Sequence, residues 1–176
     1  MGAEPENERI FLIGFMGSGK STMGKKVAGR LGYSFVDLDA LIVERAGQTI
    51  PEIFAQHGEA AFRQQEQAAL HAVLEVPKTV ISCGGGTPCF FDNMQRINAS
   101  GYSVYLRLTP RELAIRLAAS KTKRPLIEGK SGAELEDFIA SLLAKREGYY
   151  EQAKLHFPPY RERLRELVAL LENVNG

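Results

Sequence analysis

Short apolar runs alternate with longer amphipathic ones along this chain, and each change of period marks an element. Ile10-Phe11-Leu12-Ile13 reads as a buried strand ending at Gly14, and Lys20–Leu31 as a helix stopped by Gly32. Ser34-Phe35-Val36 predicts a second strand, ending in Asp37-Leu38-Asp39. Thr79-Val80-Ile81-Ser82-Cys83 predicts a third that runs into Gly84-Gly85-Gly86, and Ser103-Val104-Tyr105-Leu106 a fourth. Thr109-Pro110 then supplies an N-cap and a first-turn proline for a helix. Leu155-His156-Phe157 reads as a short fifth strand, and the Pro158-Pro159 step as the start of a final helix running through Val168.

Strands alternating with helices predict an α/β fold, a parallel sheet covered on both faces. Ligands in such sheets sit beyond the carboxyl ends of the strands, so Gly14, Asp37, Asp39 and the three glycines after the third strand should share one rim. Two segments break the rhythm. Residues 40–75 are helical throughout, interrupted near Gly47 and at Gly58, and suggest an inserted helical subdomain of about 39–75. Residues 120–132 are charged, broken by Pro125 and flanked by glycines, as a mobile lid would be. No repeat or linker divides the chain, so residues 1–176 are expected to form a single domain.

Composition narrows the function classes. The chain has 176 residues, 44% hydrophobic and 24% charged, as ordinary soluble domains do. No apolar run reaches the ~18–20 residues needed to span a bilayer, so no membrane role is expected. The opening MGAEPENERI is polar and acidic; it does not read as a signal peptide and is expected to fray, which leaves a cytoplasmic location. With 22 basic and 21 acidic residues the net charge is +1, and no basic cluster suggests nucleic acid. Cys83 and Cys89 are too few for a disulfide framework, and His57, His71 and His156 are scattered without metal-ligand spacing.

The candidate chemistry begins at Gly14-Phe15-Met16-Gly17-Ser18-Gly19-Lys20-Ser21, which matches G-x-x-x-x-G-K-[ST]. Its glycines let backbone N–H groups turn toward phosphate oxygens, and the following helix adds its positive end. Lys20 can reach the β and γ phosphates, and Ser21 is placed for Mg2+. Strand alternation puts Asp37 and Asp39 on one side, where one carboxylate could hold a metal-bound water and the other accept a proton. Acidic residues at a strand end also cap helices, and Asp39 could cap the next one.

Arg63 allows two readings: an ion pair with Glu59 or Glu66 at helical spacing, or a fork gripping a carboxylate. Gly84-Gly85-Gly86 is costly in chain entropy unless the backbone must approach something closely, which suggests N–H donors facing a ligand. Arg124-Pro125 reads either as a solvated loop or as a closing arginine that neutralises transition-state charge. Arg146 looks like any exposed helical charge, and its spacing assigns it no role.

Taken together, GFMGSGKST, DLD, GEAAFRQQE, CGGG, KRPL and LLAKREGYYEQA, in that order, resemble shikimate kinase over nearly the whole chain. The resemblance implies a three-layer α/β/α P-loop fold of the nucleoside-monophosphate-kinase kind, with a five-stranded parallel sheet, a helical substrate-binding insertion and a lid. It implies transfer of the ATP γ-phosphate to the 3-hydroxyl of shikimate, with Mg2+. Gly17, Ser18, Gly19, Lys20, Ser21 and Thr22 would bind the phosphates, with Ser21 on the metal and Asp37 holding it through water. Asp39 would bind the shikimate hydroxyls and act as, or orient, the base. Arg63 and Arg146 would clamp the carboxylate, Gly84, Gly85 and Gly86 would contact the ring hydroxyls, and Phe54 and Phe62 would form an apolar wall. Arg124 would reach ATP from the lid, and Arg116 would face adenine. A monomer is expected.

One departure from the family is that Leu155-His156-Phe157 runs almost directly into Pro158-Pro159-Tyr160, shortening the connection that packs on adenine. The alternatives are another small-metabolite kinase, such as a gluconate kinase, and a nucleotide-binding homologue without catalysis.

Overall fold

The computed structural model describes residues 8–175; of the ten opening residues expected to fray, the first seven lie outside them, whereas Arg9 and Ile10 belong to the first strand. Five strands form one parallel sheet in the order β2-β3-β1-β4-β5: β1 Arg9–Ile13, β2 Ser34–Asp37, β3 Thr79–Ser82, β4 Tyr102–Leu106 and β5 Leu155–Phe157. Seven α-helices are described: α1 Lys20–Leu31, α2 Leu38–Ala46, α3 Ile50–Val73, α4 Asn93–Ser100, α5 Pro110–Ala119, α6 Gly132–Tyr150 and α7 Leu164–Asn175.

The central strand shows why the fold has three layers. Alternation along β1 sends Ile10 and Leu12 into a core shared with Val27 of α1 and Leu171 of α7. It sends Phe11 and Ile13 into the opposite core, with Leu70 of α3, Leu113 of α5 and Leu143 of α6. All four of these β1 side chains are fully buried, as a parallel sheet covered on both faces requires.

Local signals set the element ends. Gly32 and Gly47 close α1 and α2 in the left-handed region, at φ 70° and 65°. Capping boxes open α3, through Thr49 and Glu52, and α5, through Thr109 and Glu112. The expected break at Gly58 is a kink inside α3, with φ 81° and ψ 174°. Residues 120–132 form an irregular connection with one short 3-10 turn, Pro125–Ile127.

Two expectations are corrected. The final helix does not start at the Pro158-Pro159 step but at Leu164, after an extended Tyr160 and a 3-10 turn at Arg161–Arg163. Pro159 disfavours the helical region for the residue before it, and the segment is tied down elsewhere. Tyr160 Oη donates to Glu112 Oε1 at 2.6 Å, and Arg116 Nη2 donates to the Pro159 carbonyl at 3.0 Å. Nor does Asp39 cap α2: Asp37 does, accepting from the Ala40 amide at 3.1 Å, and Asp39 lies in the first turn. The strand ends at Asp37, two residues short of Asp39, so the first turn of α2 rather than strand alternation brings the two carboxylates near each other.

Candidate active site

The loop between β1 and α1 is shaped by glycines at positive φ: Gly14 at 149°, Gly17 at 80° and Gly19 at 90°. A Cβ on Gly14 would lie 2.9 Å from the Leu106 carbonyl oxygen, and one on Gly17 would lie 2.7 Å from Leu117 Cδ2. The loop therefore needs glycine both for its turns and for its seat against β4 and α5. Lys20 folds back over it, donating to the Gly14 and Phe15 carbonyls at 2.8 and 2.9 Å. Burial pushes the Lys20 pKa down to about 8, with Asp39 opposing the shift and Arg124 and Arg146 adding to it. Ser18 Oγ is buried and has no hydrogen-bond partner among the described residues, and Thr22 is exposed at the start of α1.

Ser21 Oγ donates to Asp37 Oδ2 at 2.6 Å and lies 3.2 Å from Ser82 Oγ, so β2, β3 and α1 meet at a knot of oxygen atoms. Asp39 stands deeper. Burial, then the charges of Asp37 and Glu66, raise its pKa to about 6 against the pull of Lys20 and Arg63. A carboxyl so placed is ionised at neutral pH yet holds a proton more readily than a free aspartate.

The glycines after β3 explain themselves through their neighbours. None of the three has positive φ, so backbone conformation does not demand them. Side chains do. A Cβ on Gly84 would lie 2.8 Å from Asp39 Oδ1, one on Gly85 3.1 Å from Arg146 Nη1, and one on Gly86 2.5 Å from Arg63 Nη1. Each glycine thus faces a different sequence-predicted site residue, and Tyr150 Oη on α6 holds the Gly85 carbonyl.

The ion-pair reading of Arg63 is met. Its Nη1 donates to Glu66 Oε1 at 2.9 Å and its Nε lies 3.5 Å from Glu59 Oε1, while the guanidinium faces the glycine run. Arg146 lies 5.9 Å from the Phe15 ring, which brings α6 to the same crevice. Phe62 is buried and stacks at 4.7 Å on Phe54, which remains partly exposed.

Arg116 bridges the phosphate loop and the segment after β5: Nη1 donates to the Ser18 carbonyl at 3.1 Å and Nη2 to Pro159. Between them opens a cleft of about 470 Å3 lined by Gly19, Thr22, Lys26, Arg116, Pro159 and Tyr160 among others. The short connection after β5 therefore still forms a wall beside the phosphate loop. Arg124 comes in from residues 120–132, half-buried, with its Nε unpartnered.

Several participants escaped the sequence reading. Glu66, 1% exposed, also accepts from Thr87 Oγ1 at 2.8 Å, and only its i+3 spacing from Arg63 hinted at a role. Ser82, Thr87, Phe90 and Tyr160 carried no local signal.

Comparison with known proteins points to one family. The shikimate kinase family model matches residues 16–172. A shikimate kinase of Parabacteroides distasonis is 49% identical over 150 residues, covering 85% of this chain and 87% of the relative. The crystal structure of shikimate kinase from Bacteroides thetaiotaomicron superimposes with TM-score 0.87 at 44% identity, covering 94% of this chain and 97% of that one. A shikimate kinase from Acinetobacter baumannii, solved in complex with shikimate, does so with TM-score 0.82 at 30% identity, covering 94% and 91%.

Proposed function

The chain belongs to the shikimate kinase family, and from that premise we propose how its rim moves the γ-phosphate of ATP onto the 3-hydroxyl of shikimate. The observation that carries the reading is the glycine run: Asp39, Arg146 and Arg63 converge on Gly84, Gly85 and Gly86, beside Lys20. A carboxylated polyol fits this crevice, because two guanidinium groups meet one carboxylate while the acid and the close backbone meet hydroxyls.

In this reading the amides of residues 17–22 cradle the phosphates, and Lys20 leaves the Gly14 and Phe15 carbonyls for the transferring group. Asp39 takes the proton of the attacking hydroxyl as its oxygen bonds to phosphorus and the bridging oxygen departs with ADP. A pKa near 6 suits a base that works at neutral pH. Arg124 adds positive charge from the lid, and Phe54 and Phe62 wall the ring of the substrate. Arg116 and Pro159 flank the nucleobase in the cleft beside Thr22.

The donor set at Ser21 and Asp37 suits Mg2+. Its atoms are all oxygen: Ser21 Oγ lies 2.6 Å from Asp37 Oδ2 and 3.2 Å from Ser82 Oγ. Among the described residues no group of three or more His, Cys, Asp or Glu side chains is placed to cage a metal, and Mg2+ completed by phosphates and waters needs none. When bound, the ion neutralises phosphate charge; Ser21 would hold it directly and Asp37 through water.

Residues of about 39–75, hinged at the Gly47 and Gly58 breaks, serve as the substrate-binding subdomain, and residues 120–132 serve as the lid. No described helix is long and apolar enough to cross a membrane, which is compatible with a cytoplasmic enzyme. The test is a coupled ADP-release assay with shikimate and gluconate side by side. Turnover with shikimate and none with gluconate is expected; turnover of gluconate alone would overturn the reading.

A further inference from the structure

The guanidinium of Arg63 lies 3.9 Å from the centroid of the Phe90 ring, and 5.1 Å from that of Phe62. The first distance is that of a cation seated directly on an aromatic face, where the ring quadrupole attracts it. The residue is 8% exposed, so the attraction acts with little competing water. Gly86 leaves no room for a Cβ against the same group, and Glu66 takes Nη1. The contacts to Glu59, at 3.5 Å, are long, and Nε is buried with no hydrogen-bond partner among the described residues. Phe90 and Gly86 thus confine the guanidinium while part of its donor edge stays weakly engaged.

The backbone beside Phe90 is built to put it there. Phe90 itself is extended, at φ −123° and ψ 147°. Phe91 adopts φ 51°, a conformation that bulky L-residues avoid, and its side chain is left 58% exposed. Exposure of Phe91 gains nothing in packing. The turn sends one phenylalanine outward and lets its neighbour lie under Arg63, and strained backbone of this kind gathers at functional sites.

We propose that Phe90 is a positioning residue for shikimate binding, an aromatic platform that holds the Arg63 fork in the orientation that receives the substrate carboxylate. This rests on the carboxylate-clamp reading of Arg63. Phe90 touches neither reacting atom, so its effect falls on shikimate affinity and leaves ATP affinity and the chemical step alone.

The decisive experiment replaces Phe90 in the full chain by 4-fluoro-, 3,5-difluoro- and 3,4,5-trifluorophenylalanine. Fluorine drains the negative face of the ring while changing its shape little, so a purely space-filling role would not respond. The KM for shikimate should climb stepwise, by about tenfold across the series, while kcat, the KM for ATP and Tm stay flat. Phe90→Leu should raise the same KM at least as far, and Phe90→Tyr should restore it. Arg63→Ala is measured alongside. A flat fluorinated series with a raised KM in Arg63→Ala would overturn the platform and spare the clamp. An unchanged KM in Arg63→Ala would overturn the clamp itself, and the platform with it.

Discussion

Replacing Asp39 by asparagine should slow turnover severely and, at the same time, stabilise the ligand-free fold. The carboxyl stands in a partly dry crevice facing Asp37 and Glu66, and its pKa is raised from 3.8 to about 6. At 1.36 kcal/mol per pH unit, that displacement corresponds to about 3 kcal/mol of destabilisation by the ionised form, an upper value because Asp39 retains some solvent access. The sign follows from proton linkage. Between pH 4 and 6 the folded state binds the proton that the unfolded chain has lost, so stability falls as pH rises through that window. Asparagine keeps the shape and removes the charge.

Thermal unfolding of the ligand-free protein in EDTA should therefore show Asp39→Asn about 5–10 °C more stable than the parent at pH 7.5. The two should converge near pH 4, where the parent carboxyl is protonated as well. In steady-state assays the same variant should lose about 10^2- to 10^4-fold in kcat, the range for removing a positioned general base. If Asp39→Asn melts no higher than the parent at pH 7.5, the crevice does not strain the charge and the origin assigned to the shifted pKa is wrong. Asp39 would then be an ordinary solvated carboxylate.

Other expectations can be checked with the same assays. Lys20→Ala should lower kcat by about 10^2- to 10^3-fold, because its charge acts where negative charge moves in the transition state. Gly84→Ala should impair kcat and shikimate KM together, since the new Cβ would sit 2.8 Å from Asp39 Oδ1 and 3.0 Å from Thr87 Oγ1. Gly29→Ala is its control: beyond the local backbone of α1, nothing lies within 4 Å of the added methyl, and a gain of about 0.5–1 kcal/mol in denaturant unfolding is expected. Hydrogen exchange across residues 120–132 should slow when shikimate and a non-hydrolysable ATP analogue are both bound; equal exchange with and without them would argue against a closing lid.

What could be read from the sequence is what neighbours in the chain decide among themselves. The β1 run, the N-cap at Thr109 and the breaks at Gly32, Gly47 and Gly58 all express φ/ψ preferences or periodicity within a few residues. The phosphate loop belongs with them, because its glycines and Lys20 perform their task within one turn of chain. Two local details went otherwise than the pattern allowed. Asp37 rather than Asp39 caps α2, and α7 starts only at Leu164, because the exact residue at which an element ends depends on what its side chains find nearby.

Tertiary structure decided the rest. Arg116 reaches a loop carbonyl 98 positions away, Tyr150 a glycine carbonyl 65 positions away, and Arg146 gains its place only because α6 lies over Gly85. Phe90 under Arg63 left no trace in local pattern, since a stacked ring and an idle one are spelled alike. Periodicity reports which face of an element is buried, but not what it is buried against. Only folding five strand ends onto one rim turned separate glycines, acids and arginines into a pocket with a charge pattern.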